Sequence, residues 1–91
     1  MSQVTSRTSA GAHHSGSCRV GTIVLAAGSG AAARATVTDA TAGSSTDYIA
    51  YDIAAVAGTS VAIPFHGVDA NNGVYLEAIS GNGARLIVEI I

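Results

Sequence analysis

From Cys18 to the C-terminus, apolar and polar side chains alternate with a period of two, not the 3.6 of a helix. Val20, Thr22, Val24 and Ala26 fall on one face, and Arg19, Gly21, Ile23 and Leu25 on the other. Ala35, Val37 and Asp39 alternate with Arg34, Thr36 and Thr38, and Ile49, Tyr51 and Ile53 with Tyr48, Ala50 and Asp52. Val61, Ile63 and Phe65 make a further row. In "GVYLEAIS" Val74, Leu76 and Ala78 oppose Tyr75, Glu77 and Ile79, and in "RLIVEII" Leu86, Val88 and Ile90 oppose Ile87 and Ile91. Each run reads as a strand.

Turn residues separate the runs at Ala27–Gly30, Thr41–Ser45, Ala57–Thr59, Val68–Gly73 and Ser80–Gly83. Strands at this spacing, without a convincing helical segment, predict an all-β fold: a small antiparallel β-sandwich or jelly-roll-like barrel of about six to eight strands. The Ala31–Ala35 tract is too short to hold a helix against the β-branched run after it. Residues 1–17, "MSQVTSRTSAGAHHSGS", have only Met1 and Val4 as bulky apolar groups. They are expected to form an extended N-terminal arm, with a short strand around Gln3–Thr8, ahead of a single sandwich domain over residues 18–91.

Composition narrows the function classes. The chain of 91 residues holds eighteen alanines and eleven glycines, so each core position buries little area. Charged residues are 11% of the chain, where globular proteins carry about 25%. A surface so poor in charge is expected to pack against other protein. The four basic residues, Arg7, Arg19, Arg34 and Arg85, are scattered and form no phosphate-binding stripe, which speaks against nucleic acid. No apolar run approaches the roughly 20 residues of a membrane span, and the N-terminus lacks the apolar core of a signal peptide. One cysteine, Cys18, excludes an internal disulfide framework and reads as a small apolar filler. The expectation is a soluble protein made in a cytosol.

Three stretches could carry chemistry. "LAAGSG", residues 25–30, is similar to the phosphate loop that opens the nucleotidyltransferases. However, Arg34 stands two positions later than that motif places its arginine, no lysine is present, and the rest of that larger α/β unit is missing. The segment that follows reads as strand, so the glycines are expected to serve a hairpin turn. His13, His14, Cys18 and His66 could be offered to a metal, but adjacent histidines on an extended chain point to opposite sides. A satisfied or solvent-exposed pair is expected, with a pH-sensitive contact as the weaker alternative. Asp69, Asn71, Asn72 and Glu77 superficially match a calcium loop but lack its twelfth-position acid and flanking helices. No carboxylate pair, histidine or serine stands at a spacing that supports catalysis. The sequence therefore predicts a non-enzyme with no cofactor and no metal.

The element order of residues 16–91 resembles the small β-sandwich structural proteins of tailed bacteriophages, of the capsid decoration (cement) type. The likeness is carried by "GSCRVGTIVLAAG", by Thr36-Val37-Thr38-Asp39 before a Gly/Ser loop, by an apolar strand ending in Phe65, by Gly73-Val74-Tyr75-Leu76 and by a final Val/Ile strand. The resemblance implies a virion protein on the outer surface of a phage head. It also implies the major capsid protein and further copies of itself, often as a trimer, as partners. On that reading Val4, Arg7, His13 and His14 of the arm and Ile87 and Ile91 of the last strand are the candidate interface residues. Another virion component (a tail, neck or fibre domain) stays open, as does a carbohydrate- or receptor-binding module using Tyr48 and Tyr75.

Overall fold

The computed structural model describes residues 3–91, and these contain strands and no helix. The strands are β1 (Gln3–Arg7), β2 (Gly11–Ser15), β3 (Cys18–Ala26), β4 (Ala33–Thr38), β5 (Tyr48–Ala55), β6 (Ser60–Ala70), β7 (Gly73–Ser80) and β8 (Arg85–Ile90). They form two four-stranded sheets, sheet A in the order β1-β8-β3-β6 and sheet B in the order β2-β7-β4-β5. All pairings are antiparallel: β1 with β8, β2 with β7, β3 with β6 and β4 with β5, joined by β3 with β8 and β4 with β7. The chain thus behaves as one long antiparallel ribbon, with arms β1–β4 and β5–β8, rolled onto itself. That is the jelly-roll arrangement of a double-sheet sandwich.

Residues 3–15 therefore form two strands, one in each sheet, where an arm was expected; Gln3–Arg7 matches the short strand anticipated there. Their Ser, Thr, Gly and Ala side chains supply little core. Main-chain hydrogen bonds to β8 and β7 need no side-chain bulk, and those bonds seat them.

The core lies between the sheets. Val20, Ile23, Leu25, Val37, Val74, Leu76, Leu86 and Val88 are completely buried, each worth roughly 1.5–3 kcal/mol relative to exposure. Alternation locates most of these positions, but bulges reverse its phase. In β3, Gly21 is an extra residue between the paired Val20 and Thr22, so Val20 faces inward before it and Ile23 and Leu25 after it. In β7, Glu77 is extra between Leu76 and Ala78, which leaves Ala78 exposed and packs Ile79 against the core. In β5, an extra residue at Tyr51–Asp52 puts Asp52 at φ 51°. Each bulge inserts one residue into a two-residue period and so turns everything beyond it over.

The loops differ from the turns expected of them. Residues 27–32 join β3 in sheet A to β4 in sheet B, so Ala27–Gly30 is a crossover between sheets and not a hairpin turn. Gly28 packs against the backbone of Asn82 and Gly83 and accepts the N–H of Gly58 at 2.8 Å, so its missing side chain serves close approach. Among non-glycine residues the left-handed conformation falls on Ser44, Asp52 and His66, and not on Asn71 or Asn72.

Candidate interaction surface

The outer face of sheet A presents an uncharged middle row flanked by one row with an acid and one with a base. Register across β1, β8, β3 and β6 sets Val4, Glu89, Thr22 and Pro64 in one row and Ser6, Ile87, Val24 and Ala62 in the next. A third row holds Arg85, Ala26 and Ser60. Val4 is 68% exposed, and Ile91, 48% exposed, stands at the end of the face beside Gly21. Ile87 and Val24 are half-buried although they point away from the core. Each outer face carries an ion pair: Arg19 with Asp69 beside Ile91 on sheet A, and Arg34 with Asp52 on sheet B, the latter through two parallel bonds of 2.9 Å each.

A second surface lies along the open side between β5 and β6. There Tyr48, Ile49, Phe65 and Val68 line a groove of about 440 Å³ with Asp39, Asp47 and Asp69. Tyr51 meets Tyr48 edge-on at 4.6 Å between ring centres and is 67% exposed. Ile49 and Phe65 sit at the margin of the core, left uncovered because the sheets part here.

Of the expected interface residues, Val4, Ile87 and Ile91 come together on or beside the outer face of sheet A. Arg7, His13 and His14 do not. The Arg7 guanidinium folds over Gly11 and donates to the carbonyls of Ser9 and Ala10 at 3.1 and 3.2 Å, closing the β1–β2 turn. His13 is the extra residue of a bulge in β2, between the paired Ala12 and His14, and its ring turns into the sandwich at 8% exposure. His13 Nδ1 lies 2.8 Å from Thr5 Oγ1, a bond from sheet B to sheet A, while Nε2 is buried without a partner. Desolvation, and then the charge of Arg7, lowers the His13 pKa to about 4. His14 stays half-buried, next to Val74 in the ladder.

Asp69 and Glu77, two of the residues in the stretches screened for chemistry, make contacts within the fold. Asp69 pairs with Arg19 at 3.1 Å, and the Arg19 guanidinium also donates twice to the Gly67 carbonyl, at 3.1 and 2.8 Å. That fork holds the β6 bulge at His66–Gly67, where both residues have positive φ. Glu77 accepts from Thr38 Oγ1 at 2.9 Å and from the Ser44 and Ser45 N–H groups, tying the β4–β5 loop to β7. No group of three His, Cys, Asp or Glu side chains is placed to hold a metal ion among the described residues. Cys18 is half-buried against the core, where burial and then Asp39 raise its pKa.

Sequence reading located Ile87 on the outer face but missed Val24, Pro64, Ala62, Arg85 and Glu89 beside it. Alternation says which way a side chain points along its own strand; which strands adjoin is settled only by the topology. No family model matches the chain, and no curated protein or solved structure does.

Proposed function

We propose that the chain is a non-enzymatic structural subunit of a tailed-phage particle, a decoration protein that seats on the outer surface of the head and stabilises the shell. The observation that supports this reading is the apolar patch on the outer face of sheet A, where Val4, Ile87, Val24 and Pro64 lie in adjacent rows. Such a face favours lasting contact with protein over free solvent. The proposed partners are the major capsid protein and further copies of the chain. Its proposed place is the virion surface, after synthesis in the host cytoplasm.

The test is sedimentation of the purified chain with shells of the major capsid protein encoded in the same genome. Saturable co-sedimentation, with a higher melting temperature of the shell, is the expected result. A chain that pellets with neither expanded nor unexpanded shells overturns the reading, and its presence in purified virions would then move it to a tail, neck or fibre.

The Tyr48–Tyr51 pair beside Asp47 favours a second reading, a carbohydrate-binding module, because tyrosine rings stack on sugars while carboxylates accept from their hydroxyls. Tyr75 does not join that pair; its ring lies against the loop at Gly43.

A further inference from the structure

The outward side chains of β8 are Arg85, Ile87 and Glu89, a cation and an anion placed symmetrically about an isoleucine. Neither charge has an ion-pair partner among the described residues, where Arg19 pairs with Asp69 and Arg34 with Asp52. Arg85 donates to Ser6 Oγ at 2.8 Å, and the Glu89 carboxylate lies over Gly21, where the absence of a side chain leaves it room. Two residues of antiparallel strand span about 7 Å, so the charges flank Ile87 at equal distances. The rows through Val4, Ser6 and Arg85 carry no other charged side chain; the next row, beside Ile91, holds the Arg19–Asp69 pair, whose charges satisfy each other.

We propose that a second copy of this chain covers the outer face of sheet A, about a two-fold axis lying along the row Ser6, Ile87, Val24 and Ala62. A half-turn about that axis lays each β8 antiparallel over its copy. Arg85 of each chain then stands over Glu89 of the other, twice in one interface, and Ile87 packs on Ile87. Val24 and Ala62 meet their counterparts along the axis, while Val4 and Pro64 cover the row of Arg85. Facing sheets pack about 10 Å apart and cross by about 30°, a gap and an offset that Arg and Glu side chains can span.

A two-fold contact uses one self-complementary surface, which the Arg85-Ile87-Glu89 pattern provides; a three-fold ring needs two different complementary surfaces. The broad faces of a molecule of 35 × 27 × 16 Å can supply the roughly 800 Å² per partner of a stable interface. This inference rests on the assembly reading only in using the same face, and it names a copy of the chain as what covers it.

The experiment is light scattering and sedimentation equilibrium of the purified chain at low salt, for the wild type, Glu89→Arg, Arg85→Glu, the double exchange, and an equimolar mixture of the two single variants. The wild type is expected to be a dimer. Each single variant opposes like charges twice and should dissociate at least about tenfold more readily. Mixing the two single variants, and combining both exchanges in one chain, should each restore the dimer. Ile87→Ser supplies an uncharged disruption should either single variant fail to fold. A wild-type monomer or trimer at micromolar concentration overturns the inference, as do single variants that dimerise as tightly as the wild type. Self-association needs no shell, so a dimer that binds no shell overturns the function proposed above and leaves this inference standing. A monomer that binds shells does the reverse.

Discussion

The carboxylate of Asp39, just beyond the end of β4, lies 2.7 Å from the backbone nitrogen of Asn72, in the turn that carries the chain from β6 to β7. It also accepts the N–H groups of Asn71 at 3.0 Å and Gly73 at 3.2 Å. One side chain thus satisfies three successive main-chain donors where the ribbon crosses from sheet A to sheet B. Partial burial pushes its pKa up, and these N–H groups, Asn72's first, more than reverse that and leave it below the ordinary value.

Replacing Asp39 by alanine strands those donors at a partly exposed site. The expected cost is about 1–2 kcal/mol, a fall in Tm of roughly 4–15 °C for a domain of this size. Asp39→Asn retains an acceptor and should lose about half as much. Thermal unfolding at pH 7 measures both, and an alanine variant as stable as the wild type would show that water serves the turn equally well.

Acid should weaken the fold in two stages. His13 titrates near 6.5 when unfolded and at about 4 in the folded chain, so the unfolded state binds more protons between those values. The stability it contributes is complete above pH 6.5 and is lost as the pH falls towards 4, by up to about 3 kcal/mol. Asp39 and Glu77 have lowered pKa values, so their contributions persist to lower pH and are lost as it falls further, through their depressed values. Urea midpoints at pH 7, 5.5 and 4.5 should therefore decline for the wild type and stay nearly level for His13→Gln. An equal decline in both would assign the first stage to another group.

Within "GSG" the two glycines should respond differently. A methyl group on Gly28 meets the carbonyl oxygen of Asn82, which is main chain and cannot swing aside, whereas Gly30 has nothing within 4 Å. Gly28→Ala is expected to destabilise by about 1–3 kcal/mol, and Gly30→Ala to change stability by no more than about 0.5 kcal/mol. Equal losses at both positions would mean that the loop is held by something other than its contact with Asn82.

The period of two was enough to read an all-β sandwich and nearly all of its strands, because one face of each strand must be apolar to enter the core. What escaped reading follows from the bulges. His13 looked like one of an adjacent pair in a polar arm, yet the extra residue in β2 turns it inward towards Thr5. Glu77 looked like a strand or turn acid, yet as an extra residue it leaves the ladder and gathers the Ser44 and Ser45 amides. No local residue signal announces either bulge; both are imposed by pairing with β7 and β4. The alternation that placed Ile87 outward could not say that Val24 lies beside it, because β3 and β8 are distant in sequence and adjacent only in the rolled ribbon.

The groove between β5 and β6 offers the remaining test of function. If sheet A is covered by a second copy, contact with a shell falls to the side where Tyr48, Tyr51 and Val68 are exposed beside half-buried Ile49 and Phe65. Tyr51→Ser and Val68→Ser remove exposed apolar surface there, so each should leave the unfolding free energy from urea titration within about 0.5 kcal/mol of the wild type. The solution mass should also be unchanged, since neither residue lies on the outer face of sheet A. Shell binding should weaken by about tenfold or more for the pair of substitutions together, because exposed aromatic groups dominate such contacts. If binding to shells persists at full strength, the contact lies elsewhere and the outer face of sheet A becomes the surface to mutate. If the double variant instead loses affinity for a soluble polysaccharide that the wild type binds, the same tyrosines are reading sugar, and the chain is a binding module.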